Sequence, residues 1–199
     1  PLYWLPARAS ATPTGLPQLW IVNGDGSNEH ELTTQVGQSF TPAASPDGRW
    51  VYFSSYAKEG ISLFRVSPDG SGFEQLTRSG DARNPIVSPD GASVYYTTGV
   101  SQPKLMKIAA AGGTPQQVSD KYFRAFDLSP DGRQFLGITW DAQRRRTVLA
   151  VYAPEGDTLR MLPDLPTTAR FLPSGEIVTL DRVNGKAVFV ERAASGAAK

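Results

Sequence analysis

The chain has 199 residues, 40% of them hydrophobic, with Gly 19, Pro 16, a single His and no Cys. Its 20 basic and 19 acidic side chains leave a formal charge of +1, so bulk charge selects neither nucleic acid nor a membrane surface. The missing thiols exclude disulfides, a cysteine nucleophile and thiolate metal sites, and no apolar run approaches the roughly 20 residues of a spanning helix.

Extended runs begin at once, with "LYWL" at residues 2–5. An apolar box "LWIV" from Leu19 then leads through the turn "NGDGS" into "HELT" from His30. The next unit runs "FTPAA", "SPDG", "RWVYFSS", "LFRV", "SPDGSG", "EQLT". Its successor runs "RNPIV", "SPDG", "ASVYYTT", "LMKI", "AAGGT", "QQVS", and the next "RAFDL", "SPDG", "RQFLGIT", "VLAV", "PEGDT", "LRML". The last run is "TARFL", a variant turn "LPSG" at Leu172, "EIVTL" and "AVFV". Period-two alternation punctuated by Gly, Pro and Asp predicts strands throughout, and no segment carries a 3.6-residue period.

Ser-Pro-Asp-Gly could be chemistry or structure, and its recurrence decides. It starts at Ser45, Ser88 and Ser129, with the variant at Leu172, at spacings of 43, 41 and 43 residues. Repeats of about 40–45 residues with four short strands each predict an all-β fold, the β-propeller, because stacked blades bury what a lone sheet leaves open. The expected blades are 1–36 (partial), 37–77, 78–119, 120–163 and 164–192 (partial), with a disordered tail at 193–199. That is about four and a half blades of a ring of about six to eight, the remainder expected upstream of Pro1. Within each turn Pro presets φ and Gly supplies a positive φ, so Asp47, Gly48, Asp90, Gly91, Asp131 and Gly132 are structural turn residues. Counting from the turns, Val51, Val94, Phe135 and Val178 should form one core layer, and Phe53, Tyr96, Gly137 and Leu180 the next.

Strand parity separates two edges. The turn edge carries the stereotyped Asp-Gly turns; the variable edge carries the loops between second and third strands and between blades, where binding residues belong. Thirteen basic against six acidic residues fall on the variable edge, and ten acidic against two basic on the turn edge. Such a field favours an anionic partner at the variable edge. Arg83 and Arg124 each stand five residues before a turn serine, and Asp127 and Arg170 each two residues before the turn, so these four are expected either as a polar ring at the channel mouth or, for Asp127 and Arg170, as a structural salt bridge between blades. Lys58, Lys104 and the run Arg144, Arg145, Arg146 complete the candidate binding set. No metal site or cofactor is expected, because the Asp-rich turns lack the dense alternating acid ligands of a calcium loop. The lone His30 lies on the turn edge, no Gly-x-Ser-x-Gly occurs, and no basic stretch is interleaved with stacking aromatics. The chain is therefore read as non-catalytic, with a protein or peptide as partner rather than nucleic acid.

The repeated pattern of SPDG turn, β-branched and aromatic strand, "L-[FY]-x-V" box, second DG turn and "LT" resembles the WD-like repeats of the TolB C-terminal propeller. The resemblance spans residues 19–191, nearly the whole chain. It implies a bacterial, periplasmic or otherwise extracytoplasmic platform for protein or peptide recognition. Similar repeats occur in larger proteins, and the alternative is the sensor or gating propeller of a prolyl-oligopeptidase-type peptidase or of a bacterial kinase or transcriptional regulator. The last would put the chain in the cytoplasm.

Overall fold

A computed structural model describes residues 16–78, 80–119, 121, 124–162, 168–183 and 186–192. The strand expected at residues 2–5 and the tail at 193–199 lie outside the described residues. Strands β1 (Trp20–Ile21) and β2 (His30–Glu31) pair as a two-stranded sheet. Three four-stranded sheets follow in chain order. The first holds β3 (Ser39–Ala44), β4 (Val51–Ala57), β5 (Gly60–Val66) and β6 (Glu74–Gln75). The second holds β7 (Ala82–Val87), β8 (Ser93–Thr98), β9 (Lys104–Ala109) and β10 (Gln116–Ser119). The third holds β11 (Arg124–Leu128), β12 (Phe135–Asp141), β13 (Arg146–Tyr152) and β14 (Thr158–Leu162). A three-stranded sheet of β15 (Thr168–Phe171), β16 (Ile177–Val183) and β17 (Lys186–Arg192) closes the series. Strands pair with sequence neighbours, which makes these sheets the blades of a β-propeller. Among the described residues there is no helix, hence none long and apolar enough to cross a membrane.

The SPDG turns are built alike. Ser45, Ser88 and Ser129 donate through Oγ to Asp47, Asp90 and Asp131 at 2.6, 2.5 and 2.5 Å. The same hydroxyls accept the N–H of Trp50, Ser93 and Gln134, each at 2.9 Å. Each aspartate also accepts an N–H at 3.0 Å, from Arg49, Ala92 and Arg133. Gly48, Gly91 and Gly132 sit at φ 70, 70 and 71°, a region that only glycine enters without strain. The tetrapeptide is structural.

The variant turn differs in length. Ala44 pairs with Val51, Val87 with Val94 and Leu128 with Phe135, but Phe171 pairs with Ile177. The Leu172 N–H reaches the Glu176 carbonyl, one residue sooner than the Ser45 N–H reaches Trp50. A one-residue change flips every following side chain to the other face. The core position expected at Val178 therefore passes to Ile177, 0% exposed, with Thr179 at 1%, while the side chain of Leu180 lies outside the described residues. Val178 is only half-buried.

The chain divides into two compact units, Pro1–Val100 with Lys107–Pro115, and Ser101–Met106 with Gln116–Lys199. In the first, Leu19, Leu32, Val51, Phe53, Phe64 and Val66 form a buried cluster, with Phe53 and Phe64 stacked at 5.7 Å. Thr33 and Thr77 accept the N–H of Leu19 and Leu63 through Oγ1 at 2.9 Å, which explains the recurrent "LT". Arg65 fastens the outer rim: it pairs with Glu74 at 2.6 Å, stacks 4.2 Å over Trp50 and donates to the Ala110 carbonyl at 2.9 Å. In the second unit the cluster is Leu136, Leu149, Val151, Leu162, Ala169 and Ile177. Burying each such aliphatic side chain contributes roughly 1.5–3 kcal/mol.

Candidate functional site

On the first unit the variable edge is locked through backbone. A Cβ on Gly60 would stand 2.4 Å from the Gly80 carbonyl oxygen, and one on Gly80 2.4 Å from that of Glu59. The Ile61 N–H donates to the same Gly80 carbonyl at 3.0 Å. Asp81 then binds Arg83 Nε through Oδ1 at 2.6 Å and accepts the Gly99 N–H through Oδ2 at 2.9 Å. Arg83 is thus half neutralised and aimed by a carboxylate two residues before it. Lys58 is exposed in the β4–β5 turn. Tyr56, 49% exposed, meets Phe40 ring to ring at 6.0 Å. Phe40 holds the repeat position that Arg83 holds in the next blade. The inner strands β3 and β7 bulge here, with Thr41 and Asn84 at φ 50 and 54°, each just before a proline.

On the second unit Lys104 and Arg124 are exposed at the heads of β9 and β11. Arg124 lines a crevice of about 240 Å³ with Pro103, Ile138, Thr139 and Thr147. The three arginines of the β12–β13 hairpin have separate roles. Arg144 folds back on Asp141 at 2.6 Å, and Asp141, 4% exposed in its side chain, also accepts the N–H groups of Gln143 and Arg144. These bonds, the Arg144 guanidinium first, hold the Asp141 carboxyl below its ordinary range. Arg145 takes the turn at φ 51°, and Arg146 opens β13. Trp140 stands out from β12, 52% exposed.

Asp127 and Arg170 take different roles from one another. Asp127 accepts the N–H of Phe171 through Oδ2 at 2.6 Å, tying β11 to β15. Burial raises its carboxyl, partly offset by that N–H and by the charge of Arg170. Arg170 donates to the Ala169 carbonyl at 2.8 Å and lies 5.8 Å over the Phe126 ring. The expected channel-mouth set thus comprises a tethered cation in Arg83, one without an ion pair among the described residues in Arg124, a staple between blades in Asp127 and a stacked cation in Arg170. Sequence reading passed over Tyr56 and Trp140, although both stand five residues after the first buried residue of their strand, Val51 and Phe135, where alternation points outward.

The turn edge is acidic and internally saturated. Asp25, Asp47, Asp69, Asp90 and Asp131 are all lowered, first by a serine hydroxyl and then by a backbone N–H, and Asp69 falls to about 2. His30 places Nδ1 2.9 Å from the Asn28 carbonyl and Nε2 3.3 Å from that of Pro68, in an open hollow of about 590 Å³. Among the described residues no three His, Cys, Asp or Glu side chains gather as a metal-ligand group. One pair bridges the two charge sets: Lys121, ahead of β11, meets Asp157 of the β13–β14 turn.

No family model matches the chain. An uncharacterised protein of Agrobacterium fabrum is 35% identical over 80 residues, 38% of this chain and 27% of that protein. Among solved structures, TolB from Acinetobacter baumannii superposes with a TM-score of 0.74 at 16% identity, over 98% of this chain and 50% of that one. A chain of the nidogen/laminin complex gives 0.70 at 12% identity, over 92% and 70%. A gluconolactonase from Xanthomonas campestris gives 0.66 at 14% identity, over 91% and 67%. The fold is the β-propeller that TolB shares, and the chain spans half the length of that TolB and about a quarter of the Agrobacterium protein.

Proposed function

We propose that the variable edge is a non-catalytic recognition surface for a polypeptide, with acidic segments preferred. The observation that carries this reading is an exposed aromatic on each unit, Tyr56 in β4 and Trp140 in β12, on strands that lead into turns bearing basic residues. Trp, Tyr and Arg dominate binding hot spots because they combine large contact area with a polar or charged tip. A rigid edge binds without the cost of ordering its loops. The likeness to TolB supports an extracytoplasmic, periplasmic setting and a larger ring that includes these blades.

The test is selection of random peptides on the full chain, followed by titration calorimetry. Trp140→Ala should weaken the selected peptides about tenfold or more. Arg83→Glu with Arg124→Glu should weaken acidic peptides further, and salt should weaken wild-type binding. Peptides whose affinity ignores all three changes would sink the proposal. The second reading, a propeller gating a larger enzyme, is supported by the likeness of the repeats to those of prolyl-oligopeptidase-type propellers. It predicts a catalytic domain in the same gene product.

A further inference from the structure

We infer that the crevice at the head of β11 is a carboxylate-binding subsite, in which the Arg124 guanidinium clamps an acidic side chain or chain terminus of a polypeptide partner. The inference rests on the variable edge being the recognition surface and names the group that edge takes. The crevice holds about 240 Å³. That is below the roughly 300 Å³ at which pockets begin to accept whole small molecules, so it suits one functional group and its carbons. A planar guanidinium matches a planar carboxylate with two parallel hydrogen bonds. Thr147 brings a hydroxyl able to donate to a remaining lone pair, while Pro103 and Ile138 supply apolar wall for methylenes.

Among the described residues Arg124 is available where its counterparts are occupied. Arg83 is bound to Asp81, Arg144 to Asp141, and Arg170 to the Ala169 carbonyl. Among the described residues Arg124 makes no ion pair. The sequence shows why: two residues before Arg83 stands Asp81, but two before Arg124 stands Tyr122. The arginine also starts from a fixed point. β11 lies so hard on β12 that a Cβ on Gly137 would fall 2.4 Å from the Arg124 carbonyl oxygen. A stem anchored in this way loses less freedom on binding than one in a loop. Arg145 and Arg146 on the adjoining hairpin add a positive field that draws an anion inward.

The experiment uses the full ¹⁵N-labelled chain and follows the Arg124 Nε–H resonance, identified by its loss in Arg124→Lys. N-acetylglutamate N-methylamide should shift it saturably, with an affinity of about 1 mM as befits so few atoms. The neutral N-acetylglutamine N-methylamide should not. N-acetylglycine separates a chain terminus from a side chain, the tighter of the two acids naming the source. Arg124→Gln should weaken the better acid at least tenfold, and Thr147→Val several-fold; the second variant keeps the test open should the first fail to fold. Equal binding of the glutamine probe, an unmoved Arg124 resonance, or tighter binding of inorganic phosphate overturns the inference. If the acids fail while Trp140→Ala still abolishes polypeptide binding, only the subsite falls. If the acids bind while polypeptide affinity ignores Trp140, the subsite stands and the broader reading falls.

Discussion

The two edges of the blades use the same residues for opposite purposes. On the turn edge Asp25, Asp47, Asp69, Asp90 and Asp131 are consumed locally, by a serine hydroxyl and a backbone N–H within their own turns. On the variable edge aspartates act on arginines instead: Asp81 aims Arg83, and Asp141 folds Arg144 back. Charge on the first edge is therefore spent inside the fold, while charge on the second remains partly open to a partner. Edge position, rather than residue type, separates scaffold from candidate site.

The largest effect should come from the core behind the Leu172 turn. Ile177→Ala should cost about 2–5 kcal/mol, the usual range for a buried aliphatic, whereas Val178→Ala should cost well under half as much. Urea midpoints decide it, and equal costs would restore the register first expected from the sequence. Next, Gly48→Ala on the turn edge should cost about 1–2 kcal/mol through its left-handed φ while leaving any variable-edge binding intact. A loss of binding there would blur the division between edges.

Acid titration should separate two kinds of carboxylate. The turn aspartates have folded pKa values below the ordinary one, so their stabilisation is present above that value and lost as pH falls through the lowered values, about 2 for Asp69. Asp69→Asn should flatten the acid limb of stability between pH ~4 and ~2, read from the urea midpoint at each pH. Asp127 has the opposite sign: its contribution is greatest below the ordinary value and lost as pH rises through the raised one. Asp127→Asn keeps an acceptor for the Phe171 N–H and should not lower the neutral-pH midpoint; a drop at neutral pH alone would reverse that sign. The smallest effect belongs to Arg83→Gln, within about 0.5 kcal/mol in stability, because a half-exposed ion pair near the surface contributes little and Asp81 keeps the Gly99 N–H.

Much of this was legible beforehand because Gly, Pro and Asp punctuate the repeats and alternation fills the gaps between them. The strands, the hairpins and the structural role of Asp47, Asp90 and Asp131 all follow from that punctuation. The Leu172 turn misled because position was counted along the chain, and a hairpin closing one residue early keeps the count while inverting the faces. The bulges at Thr41 and Asn84 left no compositional mark beyond the following proline. The candidate site was harder still, since a loop residue's role depends on its bonding partner. Arg83 and Arg124 share a repeat position, yet only Arg83 has a carboxylate two residues before it.

The tighter turn at Leu172 also bears on how such a protein could be rebuilt or could have grown. Blades look like interchangeable modules, and duplication is the natural account of their number. Yet a hairpin copied from Ser45 or Ser129 into the last blade would add one residue and swing Ile177 out of the core. The last blade can be exchanged only together with both of its strands. It has become a bespoke part in a series that otherwise reads as standard issue.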